Sequence, residues 1–271
     1  MARKLFCEIS PLCYEISLFK CRTVRHIQNL FCKENFARQK ADENLPVLWY
    51  SHKSLIRRRL GTVDQQLQEN KAVNLGLAAP KVDGIQIHPG EIFSFWQLVG
   101  KTNARKGYLE GLTISCGKTN KGIGGGMCQF TNLIHWMVLH TPLEVTELHH
   151  HDQYDLFPDF GRKVPFGTGT SIMYNYLDYR FKNPTDQTVQ LRVWTDEEYL
   201  CGELRGERSL EHSVHISCEE EYFSREQDDI YRNGKVYRSF YNKKTGELIK
   251  KELLRTNHAR VMYELPVDQI D

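Results

Sequence analysis

The sequence lacks the long apolar runs of membrane proteins, since no stretch reaches the roughly 18 residues that a spanning helix needs. It also lacks C-x-x-C pairs, which excludes the usual zinc-ribbon and thioredoxin motifs. Its 36 Lys and Arg nearly balance 34 Asp and Glu, so nothing draws the whole chain to nucleic acid. With 40% hydrophobic and 26% charged residues, we expect an ordinary globular protein.

The first 60 residues are the basic part of the chain, with 12 Lys and Arg against five Asp and Glu. The start resembles an export signal because Arg3 and Lys4 precede apolar residues, but Glu8 and Glu15 interrupt the apolar region. We therefore expect no export signal, reduced cysteines and a cytoplasmic location. A membrane-peripheral role of this segment stays open. No nucleic-acid motif accompanies the basic residues, so no nucleic-acid partner is expected.

Hydrophobic spacing predicts helices over residues 62–77 and 128–140, and a strand over residues 171–182. Asn233-Gly234 predicts the turn of a β-hairpin near the C-terminus. We predict an α+β protein with an N-terminal helical segment, a mixed core holding a buried central helix and an antiparallel sheet, and a small β tail. The predicted units are an N-terminal basic segment 1–44, a core domain 45–205 and a β-rich appendage 206–271.

The most specific chemical signal is the run Gly-Gly-Gly-Met-Cys-Gln at 124–129, placed where the second helix begins. The first turn of a helix has unpaired N–H groups and a partial positive charge, so a thiol there is expected to have a lowered pKa. Cys128 is the candidate nucleophile, and the N–H groups of Cys128 and Gln129 the candidate oxyanion site. Gly125, Gly126 and Gln129 are candidate substrate contacts. The alternative is a purely structural role, in which the cysteine is buried and unreactive and the glycines only permit close packing.

A nucleophilic thiol needs a base and a group that orients it, and the chain supplies both types just downstream. The candidates are His149, His150, His151, Asp152, Asp155 and Asp159. If residues 148–151 form a strand, His149 and His151 face one way and His150 the other. A metal site built from these histidines with Cys116 or Cys128 is disfavoured for the same reason. We predict no metal and no cofactor.

Two aromatic residues are further candidates for substrate binding. Trp96 closes an apolar segment, 93–96, that is more typical of a core than of a ligand site. Tyr154 begins a polar and aromatic stretch reaching to about residue 170, either a substrate-covering loop or a surface connection.

Several blocks in order resemble the VanW family, named from vancomycin-resistance gene clusters. Residues 89–96 resemble its P-G-E-x-F-S-F block, 124–129 match G-G-G-x-C-Q, and 177–183 resemble L-D-x-x-x-K-N. The resemblance covers about residues 45–205. Where many members have Gly-Arg-Asp-Ala-Thr, this chain has Gly-Thr-Gly-Thr-Ser at 167–171, without the aspartate.

The resemblance implies a link to glycopeptide resistance and to cell-wall peptides or glycans. Its order of cysteine and histidine is similar to that of papain-like thiol enzymes, and the family's histidine falls within 149–151, with His151 favoured. The hypothesis is thiol-dependent acyl transfer or hydrolysis, with Cys128 as nucleophile, His151 or His149 as base, and Asp152 or Asp159 as the orienting group. The alternative is a non-catalytic module that binds cell-wall fragments through its 154–170 loop.

Overall fold

The computed structural model describes residues 5–58, 64–115, 118–150, 153–156, 158–159 and 164–265. The α-helices are α1 (Pro11–Phe31), α2 (Gln65–Val82), α3 (Phe95–Val99) and α4 (Met127–Leu139). The first seven strands are β1 (Val47–Leu55), β2 (Ile85–Ile87), β3 (Ile92–Ser94), β4 (Glu110–Ser115), β5 (Lys118–Ile123), β6 (Glu144–Glu147) and β7 (Tyr154–Asp155). The remaining strands are β8 (Arg180–Lys182), β9 (Val189–Thr195), β10 (Tyr199–Gly206), β11 (His212–Glu226), β12 (Asp229–Asn242) and β13 (Leu248–Val261).

The strands form four sheets, and nearly all of their pairings are antiparallel. One sheet has the order β1-β10-β9-β2, and a second has β11-β12-β13 with the short β7 added in parallel. A third sheet, β3-β8-β6, and the hairpin β4-β5 complete them. Helices and antiparallel sheets in one chain confirm the predicted α+β class.

Helix α4 is the buried central helix that the sequence predicted. Phe130, Ile134, Met137 and Val138 have no exposed surface, and the helix is apolar on nearly every side. It packs on β10 so closely that a Cβ at Gly202 would lie 2.6 Å from the Met137 Cε atom. Contacts in the core therefore fix the orientation of α4.

Helix α1 lies differently, since none of its side chains is fully buried. Ser10 caps its start by accepting a hydrogen bond from the Cys13 N–H, and Pro11 occupies its first turn. Arg22 and Arg25 attach it to the core through the Tyr174 carbonyl and the Glu147 carboxylate. The outward side carries exposed apolar side chains, namely Leu12, Ile16, Phe19, Ile27, Leu30 and Phe31. Within the described residues, no helix combines the length and hydrophobicity that crossing a membrane requires.

Two sequence-based predictions of elements are wrong. Only residues 180–182 of the predicted strand 171–182 are a strand, because Asp178 accepts the N–H groups of Trp96 and Tyr179 and so replaces sheet pairing. Asn233-Gly234 lies inside β12 rather than at a turn. Asn233 pairs across to Tyr222 and His258, and the hairpin turns instead beyond Glu226, where Gln227 has φ 56°. Packing between long strands outweighed the local turn signal.

The helix predicted over 62–77 begins at Gln65, after its cap Asp64, and continues to Val82. Residues 62 and 63 lie outside the described residues. The three predicted units stay a prediction, although β10 ends at Gly206 and β11 begins at His212.

Replacing Gly125 by Ala tests whether the glycine turn is held by backbone contact. The new Cβ would lie 2.5 Å from the Gly111 carbonyl carbon and 2.7 Å from its Cα, where no flexible side chain can yield. We expect a loss of about 3 kcal/mol in the free energy of unfolding, measured by urea denaturation. Gly76→Ala is the control, because its Cβ would meet nothing closer than 3.8 Å inside α2. Equal stability of the two variants would contradict the constraint.

Candidate functional site

The glycine turn, residues 124–126, brings the chain to the start of α4. Gly124 and Gly126 have φ of 82° and 107°, values that L side chains rarely adopt. Gly125 packs on the backbone of Gly111. The fully buried Asn74 of α2 fastens the turn, since its Nδ2 donates to the Gly125 carbonyl at 2.9 Å and its Oδ1 accepts from the Leu109 N–H at 2.8 Å. The position of Cys128 is therefore set by a turn whose φ angles and close backbone contacts require glycine.

Cys128 lies in the first turn of α4 and is half-buried. The backbone of Ile172 lies beside it and acts to lower the pKa of its thiol. Thr170 ties the same segment to the helix, because its N–H donates to the Asn132 Oδ1 at 2.6 Å and its hydroxyl to the same atom at 2.9 Å. The segment 168–172, called here the covering segment, thus lies along the α4 face that carries Cys128 and Asn132.

The lowered thiol pKa expected from the helix start is wrong. Burial raises the pKa of Cys128 above its ordinary value, and the N–H groups of Ile172 and Cys128 offset only part of that rise. Although the residue as a whole is half-buried, loss of water from around its sulfur is the largest influence on the thiol pKa. The resting thiol keeps its proton at neutral pH.

The structure separates His149 from His150, although β6 ends at Glu147 and residues 148–150 do not form the strand on which the predicted alternation depended. His149 points to Glu147, with its Nε2 atom 3.0 Å from the carboxylate, and Glu147 is also held by Arg25. His150 lines a cavity beside the far half of α4, together with His135. His151 and Asp152, the favoured base and orienting group, lie outside the described residues. Their roles, and that of His149, stay predictions.

The two other candidate carboxylates are joined by one arginine. Arg232 of β12 lies 2.7 Å from Asp159 and 3.4 Å from Asp155, and it also pairs with Glu221. Asp155 is buried and accepts the Tyr263 hydroxyl at 2.8 Å. These contacts hold the stretch after the histidines against the C-terminal strands. A catalytic role of Asp159 stays a prediction.

The candidate substrate contacts fall into different surroundings. Gln129 binds β1, since its Nε2 donates to the Ser54 hydroxyl and the Leu55 carbonyl. Trp96 is 7% exposed and donates its indole N–H to the Leu177 carbonyl, as expected of a core residue. Tyr154 is half-buried in β7, beside β13. Gly125 and Gly126 shape the turn before Cys128, and Gln129 follows Cys128 directly, so three of these five residues lie near Cys128 in the chain while Trp96 and Tyr154 do not. Their roles as substrate contacts stay predictions.

Lys71 of α2 packs against Gly126 at the start of α4, and no sequence pattern predicted that it would lie there. It is 8% exposed, and a Cβ at Gly126 would lie 2.6 Å from its Cγ. Burial, together with the charges of Arg58 and Arg57, lowers the pKa of Lys71 to about 7. Asn74, Asn132 and Thr170 were missed too, although Asn132 follows Cys128 by one helical turn.

Among the described residues, no group of three or more His, Cys, Asp or Glu side chains is arranged to hold a metal ion. The sequence prediction of no metal stays a prediction, because Cys116, His151 and Asp152 are outside those residues.

Lys71→Met tests the electrostatic surroundings of the α4 start. A pKa lower in the folded than in the unfolded chain means that charged Lys71 opposes folding below pH 7, and that this cost fades as the pH rises from 7 towards 10.5. We expect the variant to exceed wild type by at least about 2 kcal/mol at pH 6, with the difference shrinking towards pH 9. Urea denaturation across this range measures it. The exposed Lys101→Met is the control and should show a flat difference, and a flat difference for Lys71→Met would refute the argument.

Comparison with known proteins identifies the family. A family model described as VanW like protein matches residues 70–205. The chain is 34% identical over 231 residues to the vancomycin B-type resistance protein VanW of Enterococcus faecalis, covering 85% of this chain and 84% of that protein. It is 28% identical over 125 residues to the uncharacterised protein YoaR of Bacillus subtilis, covering 46% and 39%. No solved structure matches the chain significantly. Because the family model matches half of the chain and the VanW relative is 34% identical over most of both chains, the chain belongs to the VanW family.

Proposed function

We propose that this chain is a thiol-dependent acyl-transfer enzyme acting on cell-wall peptides, with Cys128 as its nucleophile. The observation that carries the proposal is the placement of Cys128. It stands in the first turn of a buried helix, on a glycine turn whose packing excludes side chains, with the covering segment beside its sulfur. Gly126 caps the helix without a side-chain hydrogen bond, so the first N–H groups of α4 are not taken by a capping side chain.

The proposed reaction follows from these groups. A histidine from 149–151 takes the proton of the Cys128 thiol as the sulfur attacks a peptide carbonyl, forming a C–S bond. The N–H groups at the α4 start stabilise the oxyanion. Breaking the C–N bond releases an amine, which receives the proton from the imidazolium. A second amine or water then attacks the thioester, giving a new amide or a free acid and restoring the thiol.

The raised pKa of Cys128 sets a condition on this mechanism. Because the resting thiol is protonated, attack depends on a base that removes the proton once the substrate is in place. The thiol would then be protected from adventitious oxidation between turnovers.

The class of substrate rests on the relative's name, which states vancomycin B-type resistance. Vancomycin resistance is a property of the cell wall, and a thiol acyl-transfer site fits the peptides of that wall better than its glycans. A cytoplasmic location stays a prediction, and it would favour a wall precursor as substrate.

Cys128→Ala tests the proposal. We expect loss of at least about a thousandfold in conversion of a peptidoglycan stem peptide in the presence of an amine acceptor, measured by mass spectrometry of the products. Wild type should also form a covalent acyl adduct, visible in the intact mass, and Cys128→Ala should not. Cys218→Ala, another half-buried free cysteine, is the control and should keep both signals. Conversion by Cys128→Ala at the wild-type rate would end the proposal.

A second candidate is a non-catalytic module that binds cell-wall fragments, and the raised thiol pKa favours it. In that case Cys128→Ser keeps both ligand binding and the resistance phenotype, while changes in the 154–170 loop abolish both. Binding without any acyl adduct in wild type would decide for this candidate.

A further inference from the structure

A cavity of about 300 Å³ lies beside the far half of α4. The helix forms one wall, β6 and the residues after it another, and strands β12 and β13 the third, while Gly167 and Thr168 form part of its rim. Apolar side chains line much of it, namely Leu139, Val145, Leu148, Val236 and Leu254. A space of this size fits a few residues of a peptide rather than a whole wall fragment.

Arg238 is the unusual member of the lining. It is 9% exposed, its Nη2 donates to the Thr141 carbonyl, and its Nη1 lies 3.4 Å from Glu252. Its Nε is a buried donor without a hydrogen-bond partner in the part of the chain that the structure describes. A buried donor without an acceptor is unfavourable, and an anionic ligand in the cavity would supply the acceptor.

The other charges around the cavity leave room for an anion. Arg255 also lines it, with its Nε donating to Asn257 at 2.9 Å. His135 is neutral, because burial lowers its pKa to about 3, and its Nδ1 lies 3.1 Å from the Tyr179 hydroxyl. Glu144 is the carboxylate among the lining residues, and its side of the cavity is exposed to solvent. The buried part therefore presents arginine to whatever enters.

The cavity and Cys128 lie on one face of α4. His135 follows Cys128 by seven residues, which is almost two full turns and about 10 Å along the helix axis. The covering segment runs between them, from the sulfur at Ile172 to the rim at Thr168. Three residues of extended peptide span about 10 Å, so one short peptide could reach from the cavity beside His135 to the level of Cys128 on the helix.

We propose that this cavity binds a carboxylate of the substrate peptide, two or three residues from the carbonyl that Cys128 attacks. The inference rests on the proposed function, because it deepens the substrate of the same site. Arg238 and Arg255 would hold the carboxylate, and the apolar walls would hold small side chains next to it. The carboxylate comes either from the C-terminus of the peptide or from an acidic side chain, and both sources have the same chemistry.

Binding is measured in the Cys128→Ala background, where no chemistry is needed. Isothermal titration calorimetry compares a peptidoglycan stem peptide as the free acid, as the C-terminal amide, and with its side-chain carboxylates amidated. We expect one of the two amidated forms to bind at least tenfold more weakly than the free acid, and that form identifies the source of the carboxylate. Equal binding of all three forms, or no binding of the free acid, would overturn the proposal.

Variants of the cavity make the test specific. Arg238→Gln and Arg255→Gln should each weaken binding of the free acid at least tenfold, and they should leave the amidated form that already binds weakly unchanged. Leu254→Trp, at a 37% exposed position of the lining, should block the site without touching an arginine if Arg238→Gln fails to fold. Arg225→Gln, an exposed arginine of the neighbouring strand β11, is the control.

The two proposals fail in different ways. If wild type transfers acyl groups and the cavity variants leave KM for the free acid unchanged, the cavity proposal is wrong and the function stands. If the free acid binds through Arg238 but wild type never forms an adduct, the cavity proposal stands and the catalytic function is wrong.

Discussion

The site depends on one close approach between two pieces of backbone. Gly125 lies against Gly111 with no space for a Cβ on Gly125, and Asn74 joins both pieces to α2 through hydrogen bonds that solvent cannot compete for. The atoms in contact belong to the backbone, which cannot move aside as a flexible side chain can, so this contact restricts the conformation of the turn. The first turn of α4 inherits that conformation, and so does the sulfur of Cys128. The glycine run is therefore required for packing, and it also positions the sulfur of Cys128.

The second constraint is the exclusion of water from the surroundings of α4. A helix that is apolar on nearly every side removes water from each polar group that touches it, and three of the titratable groups around it illustrate the effect. Cys128 keeps its proton, while His135 and Lys71 have lowered pKa values, because in each case burial disfavours the charged form. Cys128 and His135 are therefore neutral at rest near pH 7, whereas Lys71 is only partly charged there. In the proposed reaction, a base must therefore remove the proton of the thiol.

The parts of the fold that could be predicted from the sequence are those set by local pattern. The apolar run after Cys128 predicts α4, as found. His149 and His150 also lie apart, but not on the strand that the predicted alternation assumed. The prediction failed where distant contacts decide. Asn233-Gly234 is a strong turn signal that two long neighbouring strands overrule, and the thiol pKa follows burial, which a linear pattern does not show. Lys71 and Arg238 belong to the same class, because each reaches α4 from an element far away in the chain.

The C-terminal strands are consequently more than an appendage to the region that the family model matches, which ends at residue 205. Arg232 of β12 holds Asp155 and Asp159 and lies over the Phe166 ring, so three points of the stretch after the histidines depend on it. Asn257 of β13 binds the Phe166 carbonyl and presses on Gly167, where the covering segment approaches the cavity. Arg238 supplies the cavity's buried cation. Cys128 lies within the matched region 70–205, but the later strands form one wall of the cavity beside α4, so the proposed binding of a peptide carboxylate depends on both parts of the chain.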